Sequence, residues 1–314
     1  PFDASLIEGQ SVRAVFKSPG LSPESVAPVW QAAQAAGLWV GTELTLFAQA
    51  LEELKTDKQY TPHVLAITGT NGKTTVTSLT GQLLERAGMR VAVAGNIGPT
   101  LLDTLGSALE QEQSQWPQAW VLELSSFQLD QVDNFEPTAA TVLNLTQDHL
   151  DWHGDMAAYA KAKAGIFGRQ ASIVLNRDDS NVMAMLPAPV AKTKGSKQPP
   201  REVMRFGADM PTQHGDWGLE TVNGMTWLVR ALNVDETRKS RASTETEIYI
   251  QRLLPVDALR IRGRHNALNA MAALALASST GAPLASMLYA LREYRGEPHR
   301  VASIAVLQDI EYID

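Results

Sequence analysis

The segment Ile67-Thr-Gly-Thr-Asn-Gly-Lys-Thr-Thr75 has the residue types of a loop that binds the phosphates of a nucleotide. It ends in Gly72-Lys-Thr74, but the usual pattern G-x-x-x-x-G-K-S/T requires a glycine where Ile67 stands. In such loops backbone N–H groups point at the anion, the lysine contacts the β- and γ-phosphates, and the threonine hydroxyl coordinates Mg²⁺. The segment predicts a triphosphate site with a shortened loop. The alternative is an ordinary strand-to-helix turn with a surface lysine.

Two further segments offer ligands for a magnesium ion. Glu123 ends the apolar run Trp120-Val-Leu122, where burying a carboxylate is costly unless it holds a cation. His149 lies in Asp148-His-Leu-Asp151, and neutral histidine can join oxygen ligands around Mg²⁺ or Mn²⁺ as a minority partner. The alternatives are a glutamate that faces water and a surface or capping histidine.

Five apolar, β-branched runs alternate with helix-like segments, which predicts a mostly parallel sheet with helices on both faces. Ligands collect at the carboxyl ends of such strands, so we expect Lys73, Thr74, Glu123 and His149 to meet in one crevice. The sequence therefore predicts an ATP- and Mg²⁺-dependent phosphoryl-transfer enzyme, but spacing does not identify the phosphoryl acceptor. The runs span residues 64–68, 90–94, 119–124, 139–145 and 171–175.

The pattern changes on both sides of this predicted sheet. Residues 204–262 alternate around the turn signal Asn223-Gly224, which predicts antiparallel hairpins, and a helix is expected to start near Asn266. Residues 192–201 have the composition of an exposed loop. Residues 5–54 predict two helices and little else.

Composition narrows the class of protein. The formal charge of −7 argues against nonspecific nucleic-acid binding, and the absence of cysteine excludes disulfides and thiolate chemistry. No run of about 18 apolar residues is present, so we expect no membrane span. No secretion signal precedes the first helix, and we expect a cytoplasmic monomer. Both ends of the chain are interpreted as cut.

Six motifs together resemble the Mur ligase superfamily, the ATP-dependent amide-forming ligases of peptidoglycan synthesis, cell-wall biogenesis, cell shape and cell division. Folylpolyglutamate synthase is a relative of this superfamily. ELSSFQL is the most discriminating motif, and it resembles the branch that adds D-glutamate to UDP-N-acetylmuramoyl-L-alanine. The motifs are GTNGKTT (69–75), GNIG (95–98), ELSSFQL (123–129), NLTQDHLD (144–151), HNALNAMAALALA (265–277) and PHR (298–300).

The resemblance implies three domains. Residues 1–60 would be the C-terminal part of a Rossmann-like domain that binds the UDP group. Residues 61–297 would form a central ATPase of P-loop type with an added antiparallel β section, and residues 298–314 would begin a truncated third domain. We therefore expect the 314-residue chain to be inactive alone.

The resemblance also implies a reaction. ATP would phosphorylate the carboxylate of UDP-N-acetylmuramoyl-L-alanine, and the amine of D-glutamate would attack the acyl phosphate. Lys73 and two Mg²⁺ ions would offset the charge of the reacting anions, with Thr74 and Glu123 on one ion and His149 near the other. A carbamylated lysine would share the second ion, and the pattern Tyr-x-x-Ala-Lys selects Lys163 over Lys161. The alternative is a plain lysine on a helix surface.

Further residues match binding positions of the family, although unaided they would be interpreted as turns, caps or surface amides. Those assigned to ATP are Gly69, Thr70, Asn71, Gly72, Lys73, Thr74 and Thr75 in the loop, Asn266 and Asn269 near adenine, and Arg300 with His299. Those assigned to the UDP-linked substrate are Ser18, Pro19 and Gly20 near uracil, and Asn96, Ser125 and Gln128 near the muramoyl group.

Two alternatives stay open at this point. One is a sister ligase that uses another amino acid or a folate. The other is a nucleotide-controlled interaction module without ligase chemistry, which would have no need of His149 and Lys163.

Overall fold

The computed structural model describes residues 2–187, 201–233 and 248–297, and the backbone of 303–307 and 310–313. The predictions for His299, Arg300 and the loop at 192–200 lie outside these residues. No helix in the described ranges is both long and apolar enough to cross a membrane.

The first part of the chain contains the two predicted helices and two short parallel strands that the sequence prediction missed. Each strand has only four residues, too few for the alternation of apolar residues to be recognised. Ser22 caps the first helix, and Thr42 and Thr45 form a capping box at the second. The elements are β1 (Ala14–Lys17), α1 (Pro23–Ala35), β2 (Trp39–Thr42) and α2 (Glu43–Lys58).

The next part of the chain alternates strands and helices as predicted. These elements are β3 (His63–Thr68), α3 (Lys73–Arg86), β4 (Val91–Gly95), α4 (Leu101–Leu109), β5 (Ala119–Glu123), α5 (Ser126–Leu129), β6 (Ala139–Val142), α6 (Leu150–His153), α7 (Met156–Ala164), β7 (Ser172–Asn176) and α8 (Ser180–Met183).

The chain then adds further strands before two long helices. These elements are β8 (Val203–Phe206), β9 (Trp217–Val222), β10 (Met225–Asn233), β11 (Ile248–Pro255), α9 (Arg264–Ser278), α10 (Leu284–Glu293), β12 (Ser303–Leu307) and β13 (Ile310–Ile313). The predicted turn at Asn223 and Gly224 joins β9 to β10, and both residues have positive φ, as a two-residue hairpin turn requires.

Strands β3 to β11 form one nine-stranded sheet in the order β11-β10-β9-β8-β7-β6-β3-β5-β4. Every neighbouring pair from β4 to β9 in this order is parallel, including β8 with β9, while β10 pairs antiparallel with both β9 and β11 at the far edge. The predicted mostly parallel sheet with an antiparallel addition is therefore confirmed. Strand β3 lies between β5 and β6, so the loop after β3 opens where the chain connections diverge, the usual place for a ligand crevice.

Each face of the sheet is covered by its own apolar cluster. Along β3, Leu65 and Ile67 pack towards α3, α9 and α10, whereas Val64 and Ala66 pack on the opposite side, where α2 and α4 lie. This period of two matches a strand that is buried on both faces. Burying a leucine or isoleucine contributes about 1.5–3 kcal/mol, so the two clusters hold β3 rigidly beneath the loop that follows it.

One predicted strand is too long. Strand β6 ends at Val142, not at Leu145, and a loop carries the chain from there to His149. The N–H of Leu145 donates to Asp179 Oδ2 at 2.7 Å instead of to a neighbouring strand. A side chain has therefore replaced the sheet ladder where the candidate site begins.

Candidate functional site

The loop at residues 69–72 connects the buried strand β3 to helix α3, as predicted. Ile67 is a fully buried strand residue, so the chain turns only after Thr68. Gly69 has φ 155° and Gly72 has φ 82°, values that favour glycine. A Cβ on Gly72 would lie 2.8 Å from Oδ1 of Asn269, so the loop is packed closely against α9. The result is a short, glycine-dependent turn at a helix N-terminus, a geometry suited to an anion.

The loop after β6 braces this turn through backbone and side-chain hydrogen bonds. Asn144 Oδ1 accepts from the N–H of Asn71 at 2.8 Å, and its Nδ2 donates to the carbonyl of Asn71 at 3.0 Å. The hydroxyl of Thr70 donates to the carbonyl of Thr146 at 3.2 Å and accepts from its N–H at 3.0 Å. Asn144 stands in the motif NLTQDHLD and is a site residue that was not predicted from the sequence. Its position just beyond a strand end was the signal that could have identified it.

Two lysines converge on the carbonyl of Gly69. Lys73 Nζ donates to this oxygen at 3.1 Å and to the carbonyl of Thr70 at 3.0 Å. Lys163 Nζ reaches the same oxygen from α7 at 3.0 Å and donates to the Thr68 hydroxyl at 3.2 Å. The structure therefore brings the predicted lysine of α7 against the phosphate loop.

Lys163 is a buried amine, whereas Lys161 on the same helix is exposed. Lys163 is 2% exposed, and burial, reinforced by the positive charge of Lys73, lowers its pKa to about 7, while the charge of Asp148 opposes the shift. A large share of Lys163 is therefore neutral near pH 7, and a neutral amine is nucleophilic.

Glu123 lies at the end of β5, between Ile67 of β3 and Gly95 of β4 in the register of the sheet. The residue is 1% exposed, and Asn96 Nδ2 donates to its Oε1 at 3.1 Å. Among the residues that the structure describes, no group donates a hydrogen bond to its buried Oε2. A buried carboxylate oxygen without a donor is costly, and a cation would satisfy it.

His149 lies at the mouth of the site. It has φ 52° and precedes α6, with 45% of its side chain exposed and Nε2 3.4 Å from Asp148 Oδ2. Its ring lies 4.7 Å from that of Phe127 and 6.4 Å from that of Tyr159, and the Tyr159 ring lies 4.8 Å from Lys163 Nζ. His149 and Lys163 thus flank the same tyrosine.

The predicted metal ligands come from different segments and different chemical groups. Within the described ranges, no three histidine, aspartate or glutamate side chains cluster closely enough to hold a metal by themselves. The predicted ligands are the Thr74 hydroxyl, the Glu123 carboxylate, the His149 imidazole and a modified Lys163. This set differs from a cluster of three histidine or acidic side chains, because only two of its members are of those types. The unpaired Glu123 Oε2 is the observation that fits a cation here.

The residues predicted near adenine lie beside the phosphate loop. Asn269 Nδ2 donates to Asn266 Oδ1 at 3.1 Å, and Asn266 Nδ2 donates to the carbonyl of Arg262 at 2.8 Å. Because Asn269 packs on Gly72, the first turns of α9 form one wall of the candidate nucleotide site.

Besides Asn96, which binds Glu123, the residues predicted to contact the UDP-linked substrate fall into two groups. Ser125 and Gln128 follow Glu123 closely, but their side chains bind each other in the capping box of α5, and Gln128 is buried. Ser18, Pro19 and Gly20 form a turn at the carboxyl end of β1, closed by the N–H of Leu21 on the carbonyl of Ser18 at 3.1 Å. This turn belongs to the first part of the chain, outside the large sheet.

The chain is similar in sequence to known ligases. Residues 67–277 match the Mur ligase middle domain. Over 313 residues the chain is 60% identical to UDP-N-acetylmuramoylalanine–D-glutamate ligase of Albidiferax ferrireducens, covering 100% of this chain and 61% of that relative. Over 401 residues it is 50% identical to the ligase of the same name from Polaromonas sp., covering 100% of this chain and 68% of that relative.

Similarity to solved structures concerns the fold alone. UDP-N-acetylmuramate-alanine ligase from Thermotoga maritima matches with a TM-score of 0.56 and 22% identity, covering 100% of this chain and 62% of that one. The chain therefore shares its overall fold with a protein of distant sequence.

Proposed function

The chain belongs to the Mur ligase family, and on this basis we propose that the protein joins D-glutamate to UDP-N-acetylmuramoyl-L-alanine at the expense of ATP. The chain spans 61% of the length of the Albidiferax relative, which carries the name of this activity. The reaction would be a step of peptidoglycan synthesis, carried out in the cytoplasm on small-molecule substrates.

The chemistry has two steps. A carboxylate oxygen of UDP-N-acetylmuramoyl-L-alanine attacks the γ-phosphorus of ATP, and the bond from that phosphorus to the β-phosphate oxygen breaks to leave ADP. The amine of D-glutamate then attacks the acyl carbon, the C–N bond forms, and the C–O bond to phosphate breaks. The amine loses a proton to solvent, so the products are the amide and inorganic phosphate.

In the first step the carboxylate of the substrate must approach the negatively charged γ-phosphate of ATP. The loop and Lys73 would offset this repulsion. Two unit charges of like sign at 4 Å repel by about 4 kcal/mol at an effective dielectric constant of 20. The N–H groups at the start of α3 would face the phosphates. Lys73 would exchange its carbonyl partners on Gly69 and Thr70 for phosphate oxygens. Because β3 and α3 are buried in the core, the backbone donors of the loop would already be in place, and only the Lys73 side chain would move.

Magnesium ions, or manganese in their place, would lower the charge of the phosphates when bound. Thr74 and Glu123 would hold one ion, and this assignment is supported by Oε2 of Glu123, which has no hydrogen-bond donor among the described residues. His149 and Lys163 would hold a second ion nearer the acyl phosphate.

For Lys163 to bind a cation, its amine must become an oxygen ligand, and we propose a carbamate. The neutral amine attacks the carbon of CO₂, a C–N bond forms, and a proton is released. The product carries two oxygens that share one negative charge. Burial and the pKa of about 7 support this reaction at Lys163, and the exposure of Lys161 argues against that neighbour.

One observation carries the proposal: a buried amine, Lys163, contacts the same carbonyl as the phosphate-loop lysine. A nucleotide-controlled interaction module would need the phosphate-loop lysine, Lys73, but would have no need of Lys163. The test is phosphate release by the full-length protein with ATP, UDP-N-acetylmuramoyl-L-alanine and D-glutamate. The proposal fails if release requires a longer UDP-linked peptide or a folate. It also fails if ATP only changes the affinity for another protein.

A further inference from the structure

A buried cation joins the first part of the chain to the central sheet. Lys17 is the last residue of β1, and its side chain is 3% exposed. Its Nζ lies 3.4 Å from Oδ2 of Asp130, whose side chain is 21% exposed and which directly follows α5. Placing an ammonium in this position is costly, so the surrounding groups must compensate for lost hydration.

Two indole rings supply part of that compensation. Lys17 Nζ lies 5.5 Å from the ring centroid of Trp30 on α1 and 5.7 Å from that of Trp152 on α6. Both distances are within the range of a cation–π attraction, which strengthens when the ammonium is desolvated. Lys17 thus lies where β1, α1, α6 and the end of α5 meet.

Three of these segments, β1, α5 and α6, contain or adjoin residues of the candidate site. The turn Ser18-Pro19-Gly20 begins at the residue after Lys17. Ser125 caps helix α5, which contains Gln128 and ends next to Asp130, and His149 directly precedes α6, which carries Trp152. The contacts of Lys17 therefore connect the turn proposed for the uracil end of the substrate with the segments proposed for its carboxylate end.

We propose that Lys17 is a positioning residue that sets the span between the two ends of the UDP-linked substrate site. This inference rests on the proposed function, because it requires one substrate that reaches from the turn after β1 to the phosphate loop. A long substrate held at both ends binds well only when the separation of its two subsites is fixed in advance. The nucleotide site, built from the β3 loop and α9, does not depend on this contact.

The test compares Lys17→Met, Lys17→Arg and Asp130→Asn in the full-length protein. Methionine keeps an unbranched apolar stem and removes the charge. We expect Lys17→Met to raise the KM for UDP-N-acetylmuramoyl-L-alanine about tenfold while the KM for ATP stays within about twofold. Asp130→Asn should raise the same KM more, because it leaves a buried ammonium without its carboxylate. Lys17→Arg keeps the cation and should restore most of the affinity.

Lys55→Met is the matched control, because Lys55 forms an exposed ion pair with Glu52 on α2. It should change neither KM. Equal increases in both KM values for Lys17→Met would indicate general loosening and overturn the proposal, as would no change in either. If Lys17→Met unfolds, Asp130→Asn is compared with wild type instead. An increase confined to the KM for UDP-N-acetylmuramoyl-L-alanine would support the proposal, and equal increases in both KM values, or no change in either, would overturn it. Failure of the wild-type protein to use the UDP-linked substrate would instead contradict the proposed function.

Discussion

Lys73 and Lys163 donate hydrogen bonds to one acceptor, the carbonyl oxygen of Gly69, at 3.1 and 3.0 Å. Two protonated amines on one oxygen would repel each other, and after burial the charge of Lys73 is the second cause of the low pKa of Lys163. The two residues are 90 positions apart, and only the packing of α7 against the phosphate loop brings them together. The roles of the two lysines can be separated by experiment.

Lys73→Ala should lower the kcat of phosphate release by about 10²–10³-fold or more, because a cation aimed at the transferred phosphoryl group is lost. The measurement is steady-state phosphate release by the full-length protein. Lys161→Ala, an exposed lysine of α7, is the control and should retain activity. Comparable activity of Lys73→Ala and wild type would refute the role of Lys73.

The carbamate on Lys163 should be visible directly. In buffer containing ¹³C-bicarbonate, the wild-type protein should show a carbamate carbon resonance that decreases as the buffer is depleted of CO₂. The resonance should vanish in Lys163→Met and persist in Lys161→Met. A spectrum that is identical for wild type and Lys163→Met would contradict carbamylation.

The buried amine of Lys163 also predicts how stability depends on pH in CO₂-free buffer. Its pKa is 10.5 when unfolded and about 7 when folded, so between these values the unfolded chain binds more protons. The free energy of unfolding should therefore rise with pH from about 7 to 10.5, by at most about 1.4 kcal/mol per pH unit from this group. Urea unfolding at pH 7 and pH 9 measures the rise, which should be smaller in Lys163→Met. An equal rise in both proteins would show that Lys163 is not the source.

Glu123→Gln should impair metal-dependent turnover without weakening the fold. Glutamine has nearly the same shape and lacks the charge that a cation would balance, so the Mg²⁺ concentration for half-maximal activity should rise and kcat should fall. The temperature of unfolding without metal should stay equal or increase, because a buried unpaired carboxylate oxygen is removed. Glu112→Gln, at an exposed position, is the control. An unchanged Mg²⁺ requirement would exclude Glu123 as a ligand.

Asn144→Ala should weaken nucleotide binding, because two hydrogen bonds that hold Asn71 in the loop are lost. A net loss of about 1 kcal/mol for each of the two bonds, about 2 kcal/mol together, corresponds to a roughly thirtyfold higher Kd. Calorimetric titration with ADP and Mg²⁺ measures this change, with the exposed Gln147→Ala as control. A Kd unchanged from wild type would show that the loop holds its shape without Asn144.

Prediction from sequence succeeded where a pattern repeats locally. Apolar runs between helices indicated the parallel sheet, and Asn223-Gly224 indicated the hairpin turn between β9 and β10. It was wrong at the end of β6, because Asp179 binds the N–H of Leu145 and ends the ladder there. A hydrogen bond between residues 34 positions apart leaves no periodic trace in the sequence. Strands β1 and β2 were not predicted, because each has only four residues. The domain boundaries and site roles stay predictions.

Several features are evident from the amino-acid sequence alone: a glycine-dependent loop ending in Lys73, a glutamate after an apolar strand, and the motifs that place the chain in its family. Local propensities and the burial of apolar runs suffice for that much. Which side chains are desolvated, and which share a hydrogen-bond partner, depends on the three-dimensional fold. It buried Lys163 but not Lys161, left Oε2 of Glu123 without a donor among the described residues, and enclosed Lys17 between two indoles. Desolvation and charge proximity depend on what packs across the fold, and they control the reactivity of these groups.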